Sequence, residues 1–242
     1  VLIQGWLGKL VVEGGLSPAM VTAHLANAML LAGVLVVLAV NSFFFGNDGA
    51  SDGRASLTDR IGDEAVLPGS TARLATVAAG ASLFLILTGA YMRAMGGALV
   101  FLDWPLMNSR LIPSLNSIPA AAQFTHRVVT VAVGVVLVVL FSKASKARNV
   151  SPGFYRLIAL ASYAFLAQAA IGAANVLTRL APWARSLHVV LATVVWGALV
   201  GAARLAQLRA SGRTPLIQQD SGDESVQEAA AMVETVGVGE AS

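Results

Sequence analysis

The stretch QGWLGKLVVEGGLSPAMVTAH at residues 4–24 reappears, altered but in register, as QAAIGAANVLTRLAPWARSLH at residues 168–188. Gln4 falls on Gln168, Gly8 on Gly172, Val12 on Val176, Leu16 on Leu180, Pro18 on Pro182 and His24 on His188, all at an offset of 164 residues. Both copies read Q-x3-G-x3-V-x3-L-x-P-x5-H, and both place a histidine deep in an apolar run. Identities held at one offset across a whole hairpin mark an internal duplication, a common way to build a membrane bundle. The chain is therefore read as the last two helices of one four-helix unit followed by all four of a second.

The solvent for this fold follows from its composition. Hydrophobic residues make up 56% of the 242 and charged residues only 12%, and the mean hydropathy is +0.73. Soluble domains carry roughly 25% charged residues. Fourteen of the 29 charges fall between Asp48 and Glu64 or after Ser211, so the remainder could not dress a soluble surface. Five runs, at 18–45, 72–95, 120–141, 154–178 and 182–205, match the roughly 20 apolar residues that span a hydrocarbon core. No Asp, Glu, Lys or Arg occurs in 18–45, 74–92, 128–142, 157–178 or 186–203. Only a helix satisfies its own backbone there, since no alternating barrel strands are present. The fold class is an all-α integral membrane protein, a four-helix transmembrane bundle plus the last two helices of a second, pseudo-symmetric bundle.

The expected divisions are 1–45, the end of the N-terminal half; 46–71, a cytoplasmic linker; 72–205, the complete C-terminal half; and 206–242, a cytoplasmic, disordered tail. Residues 1–12 read as the last turns of a helix, and the chain, opening on Val1 inside an apolar run, reads as N-terminally truncated. Lys143, Lys146, Arg148 and Arg156 crowd one loop, and Arg204, Arg209 and Arg213 follow the last span. The positive-inside rule makes that side cytoplasmic, which places the protein in the plasma membrane as a multi-pass chain. Basic residues scattered singly at span ends report orientation and give no nucleic-acid site. The absence of cysteine removes disulfides, thiolate metal sites and thiol nucleophiles.

All three histidines lie within spans. His24 and His188 follow Pro18 and Pro182 by six residues, and His126 follows Pro119 by seven. At 1.5 Å per residue each lies about 9–10 Å below the outer surface. His126 and His188, on the second and fourth helices of one unit, thus share a level at which two imidazoles can bind the two faces of a haem. His24 is the corresponding fourth-helix ligand of the first unit. A single intramembrane histidine could simply hydrogen-bond between helices, but three at matched depth favour iron ligation. Zinc is a weaker choice, because it prefers four ligands and no Asp or Glu shares this depth.

Arg127 and Arg93 are candidate partners for haem propionates; arginines at helix ends also snorkel to headgroups. Lys9, Arg179 and Arg185 read as interfacial anchors, and Gly8, Gly89, Gly134 and Gly172 as sites of close helix contact. The outer loop 96–107 is apolar enough to fold back as a lid over a large hydrophobic ligand. Its Trp104 equally suits an interfacial belt, and its Asp103 either caps a turn or touches the cofactor.

The runs TGAYMR at 88–93, DWPL at 103–106 and FTHR at 124–127, with the repeated Q-x3-G…P-x5-H, resemble the haem A synthase family over about residues 1–205. That resemblance implies eight transmembrane helices in two pseudo-symmetric halves. It also implies oxidation of the C8 methyl of haem O to a formyl group through successive hydroxylations, giving haem A for cytochrome oxidase. The C-terminal half would hold a haem b (iron) on His126 and His188 as electron-transfer cofactor, and the other half the substrate porphyrin, with His24 on its side. A catalytic glutamate of the family lies three residues before the second-helix histidine of the N-terminal half; the matching position in the C-terminal half is Gln123. With that glutamate-bearing helix missing, the chain alone is expected to be inactive. Many members carry an outer-loop cysteine pair that this chain lacks. Implied partners are haem O, haem A, haem O synthase, an electron donor such as a quinone or ferredoxin, and the lipid bilayer; a homo-oligomer is compatible with the sequence. Two other functions fit the same residues less fully: a di-haem carrier of cytochrome b type, and a transporter, which the uniformly apolar span middles disfavour.

Overall fold

A computed structural model of the chain describes residues 1–45 and 66–210. The described chain is helical: α1 (Leu2–Glu13), α2 (Pro18–Phe45), α3 (Gly69–Ala94), α4 (Ile118–Lys146), α5 (Pro152–Leu177) and α6 (Pro182–Ala210), with a short 3-10 turn at Gly97–Leu99. Five of these are long and apolar enough to cross a membrane. Each of the five expected spans is present. The helices run past the apolar windows, so 69–71 and 206–210 are helical where linker and tail were expected. Hydropathy marks only the apolar stretch, whereas the i→i−4 ladder runs on past it. Residues 46–65 of the expected linker and 211–242 of the expected tail lie outside the described residues.

Local sequence fixes the helix starts. Proline opens α2, α5 and α6, where its fixed φ suits the first turn and its missing N–H costs nothing. Ser117 caps α4 by accepting the Ala120 N–H at 3.3 Å. The α5–α6 turn repeats the α1–α2 turn in detail. Leu16 N donates to Val11 O at 2.9 Å and Leu180 N to Asn175 O at 2.8 Å; Gly15 N donates to Val12 O and Arg179 N to Val176 O. These are the paired bonds of a Schellman closure, and φ is positive at Gly15, Leu16, Arg179 and Leu180. The duplication read in the side chains thus extends to the backbone.

Helices α3, α4, α5 and α6 form a closed ring in which each packs on its sequence neighbour and α6 returns to α3, leaving α4 and α6 on one diagonal. Helix α2 lies outside the ring, in the groove between α3 and α6, and α1 packs on α2. Ala72, Ala75, Ala78 and Ala79 of α3 and Ala198, Ala202, Ala203 and Ala206 of α6 are buried. Small side chains let these helices approach closely, which supplies packing where lipid offers no hydrophobic drive. On α4, Val131, Val135 and Val138 are exposed while Val133, Leu137 and Leu140 are buried, as expected of one face toward lipid and one toward the ring.

Helix α6 is the spine, with 56% of its central window buried against 11–22% for the other spans. Trp196 donates its indole N–H to the Met29 carbonyl at 2.9 Å, and Gly33 of α2 faces the Trp196 ring. Arg204 Nε donates to Asn41 Oδ1 at 2.7 Å and Gln207 Nε2 to Thr76 Oγ1 at 3.1 Å. These pairs place the end of α2, the start of α3 and the end of α6 at one end of the molecule. The histidines lie toward the other.

A Cβ at Gly33 would come within 3.2 Å of the Trp196 ring, whereas one at Gly80 would meet nothing within 4 Å. Gly33→Leu should therefore overpack the α2–α6 seam and destabilise by about 1–3 kcal/mol. Thermal unfolding in detergent should show a lowered Tm for Gly33→Leu and an unchanged one for Gly80→Leu; equal values would refute the seam.

Candidate functional site

Each of the three histidines rests its imidazole on a glycine of the adjoining helix. A Cβ built on Gly8 would meet His24 Cε1 at 3.2 Å, one on Gly89 would meet His126 Cε1 at 2.8 Å, and one on Gly172 would meet His188 Cε1 at 3.4 Å. The missing side chain is thus the seat on which the ring lies. Two seats belong to the repeat, since Gly8 and Gly172 occupy the same position in Q-x3-G. The third, on α3, was legible in the sequence only as a glycine suited to close packing.

Around the ring of helices His126 leans from α4 onto α3 and His188 from α6 onto α5. The two imidazoles stand on diagonal helices. Thr88 Oγ1 donates to Leu85 O at 2.8 Å and lies 3.2 Å from His126 Nδ1. Its single proton is committed to the carbonyl, so it accepts from His126 Nδ1–H. That leaves the Nε2 lone pair of His126 free, the tautomer a metal-binding imidazole requires. His188 Nδ1 is buried with no hydrogen-bond partner.

His24 stands apart on α2, outside the ring. Gln4 Nε2 lies 3.2 Å from His24 Nε2 and donates to the His24 carbonyl at 3.3 Å, and Asn27 donates to Gln4 Oε1 at 2.6 Å. Among the described residues no three His, Asp or Glu side chains cluster. Two glycine-seated imidazoles, one of them with its Nε2 lone pair free, have the donor chemistry that a haem iron would require. A cavity of about 450 Å³ opens between α2, α3 and α4, lined by Thr22, Phe84, Tyr91 and Ile118 and by Thr88, which orients His126.

The loop between α3 and α4 caps the start of α4. Gln123, buried, accepts the Phe101 N–H at 2.8 Å and donates to the carbonyls of Phe101 and Ala98 at 3.3 and 3.4 Å. One turn on, Arg127 donates to the carbonyls of Leu106 at 2.8 Å, Asp103 at 3.1 Å and Pro105 at 3.4 Å. Phe101 and Met107 bury themselves against Ala120 and Phe124. The guanidinium that the sequence offered to a propionate is here engaged with the loop. Arg93, one turn beyond Gly89 on α3, is exposed. Trp104 is half-exposed. Arg185, expected as a surface anchor, has its Nε buried without a partner, while Lys9 pairs with Glu13 at 3.6 Å.

Asp103 caps a turn: Oδ1 accepts the Asn108 N–H at 2.8 Å and Oδ2 the Ser109 N–H at 2.7 Å, where both residues have positive φ. The Ser109 amide foremost, with the Asn108 amide and the Arg127 guanidinium assisting against some desolvation, holds this carboxyl below its ordinary 3.8.

The cytochrome oxidase assembly protein family matches residues 1–200. A relative described as "Heme A synthase" from Methylobacterium sp. (strain 4-46) is 30% identical over 226 residues, covering 85% of this chain and 58% of that protein. Another of the same description, from Symbiobacterium thermophilum, is 29% identical over 201 residues, covering 82% of this chain and 62% of its own. The chain thus spans about three-fifths of the length of these curated relatives.

A carboxyl whose folded pKa is depressed stabilises the fold above its unfolded pKa and loses that contribution as pH falls through the folded one. The loop should therefore stay closed at neutral pH and begin to loosen only below about pH 3.8. Trp104 fluorescence should report that acid transition in the parent chain and lack it in Asp103→Asn; identical titrations would refute the cap. Gln123→Glu keeps the acceptor but sets a carboxylate against two carbonyls. It should cost about 1–3 kcal/mol and speed proteolysis within 98–107, and unchanged cleavage would refute the clamp.

Proposed function

The chain belongs to the cytochrome oxidase assembly protein family, and we propose that its function is haem A synthesis: oxidation of the C8 methyl of haem O to a formyl group, with a bis-histidine haem b on His126 and His188 as electron-transfer cofactor. The observation that carries this reading is the diagonal pair of glycine-seated histidines within a closed ring of transmembrane helices. Relatives described as heme A synthases match more than four-fifths of the chain, which supports the same reading.

The residues divide the work. His126 and His188 would supply two axial nitrogens from opposite sides of the ring interior. Thr88 keeps the His126 proton on Nδ1 and so leaves the lone pair of Nε2 available. A haem with both axial positions filled supplies electron transfer rather than oxygen binding. Gln123 and Arg127 hold the loop closed over the outer end of α4. His24, on the separate α1–α2 hairpin, would face the porphyrin being oxidised, and the bilayer accommodates that substrate's apolar bulk. The basic residues after α4 and α6 support a cytoplasmic C-terminus in the plasma membrane. A quinone or ferredoxin would serve as electron donor and haem O synthase as the source of substrate.

His126→Ala and His188→Ala should each abolish one low-spin haem absorption signal in the purified chain, without preventing membrane insertion. Gly89→Ala, whose Cβ would press on His126 at 2.8 Å, should disturb the same signal, whereas Gly172→Ala, at an ordinary 3.4 Å, should leave it nearly intact. Unaltered spectra in both alanine variants would overturn the ligand assignment. Two inert haems with no conversion of haem O, measured by pigment extraction on co-expression with the rest of the pathway, would favour the cytochrome b-type carrier instead.

A further inference from the structure

The two copies of the repeated hairpin seat their histidines alike but finish them differently. In the first copy Gln4 Nε2 lies 3.2 Å from His24 Nε2. An amide NH2 only donates, so His24 Nε2 is the acceptor, and the neutral ring carries its proton on Nδ1, which is buried without a partner. Asn27 braces the amide by donating to Gln4 Oε1 at 2.6 Å. In the second copy the residue matching Asn27 is Leu191. Gln168 Oε1 is buried with no partner, and among the described residues no hydrogen bond joins the Gln168 side chain to His188. The lone pair that would bind iron is therefore already engaged at His24 and not at His188.

We propose that Gln4, braced by Asn27, is a displaceable cap on Nε2 of His24 that makes porphyrin ligation at this station reversible. The His126–His188 station, lacking such a competitor, retains its porphyrin. The inference rests on His24 being the substrate-side ligand of the proposed function. Its physical sense is that an enzyme acting on a porphyrin must release it, and a histidine with an unopposed lone pair would hold product as firmly as substrate. A built-in competitor lowers the fraction of the protein ready to ligate, and the apparent affinity falls by that fraction. Competition from a hydrogen bond of ordinary net strength changes affinity about fivefold. The cap is local, needing one side-chain rotation of Gln4 away from the imidazole, and it leaves the Gly8 seat in place.

The test is equilibrium titration of the full chain in nanodiscs with iron protoporphyrin IX, followed by absorption. The parent should show a tight and a weak class of site, with the weak class absent in His24→Ala. Asn27→Leu, which installs the side chain the second copy carries, and Gln4→Met should each tighten the weak class about fivefold and leave the tight class unchanged. A weak class that vanishes in His24→Ala but keeps its affinity in both cap variants would overturn the cap while sparing the functional reading. A weak class that persists in His24→Ala would remove His24 from porphyrin binding and overturn both.

Discussion

A histidine ring lying on a glycine of the next helix is the contact from which the rest of this molecule is organised. In a membrane interior an imidazole must be paired, ligated or shielded, and a side chain of its size needs room between closely packed helices. Glycine supplies that room without loosening the helix–helix contact, because only the seat is hollow. The same contact recurs on α1–α2, α3–α4 and α5–α6, each time toward the same end of the bundle. Around it the neighbouring groups differ: a threonine at His126, an amide at His24, and no hydrogen-bond partner at Nδ1 of His188. Those differences, rather than the histidines themselves, set which ring nitrogen carries the proton and whether the other is free.

Position follows from the spine. Helix α6 carries His188 near its start and touches α3, α5 and α2 along its length. Trp196, midway along α6, and Arg204, near its end, fasten α2 to it, so the first hairpin, with His24, is registered against the complete bundle by hydrogen bonds further along α6 than His188. The loop after α3 is fixed separately, by Gln123 and Arg127 flanking His126 in sequence. One turn of α4 therefore serves both the ligand and the cover above it.

The five spans and the pseudo-symmetric hairpin were legible in the sequence because apolar runs and a fixed offset are one-dimensional signals. That His126 and His188 lie on the second and fourth helices of one unit was legible from their spacing after proline. Less was readable where a residue's partner is set by three-dimensional packing. Arg127 looked available to a propionate, yet it holds loop carbonyls, since nothing in FTHR tells which way a guanidinium turns. Asp103 stood between two roles until the positive φ values at Asn108 and Ser109 exposed the two amides that it caps. The role of Gln4 was present in the repeat as an identity with Gln168, but its meaning lay in the non-identity of Asn27 and Leu191.

The central claim is that residues 126 and 188 place two imidazole nitrogens on one iron. Pulsed electron paramagnetic resonance of the chain loaded with ferric haem b, prepared with 15N-labelled histidine, counts axial imidazole couplings directly. The account predicts a low-spin signal coupled to two histidine nitrogens, reduced to one when residue 188 is changed to glutamine. A high-spin signal, or a low-spin signal indifferent to that change, would contradict it.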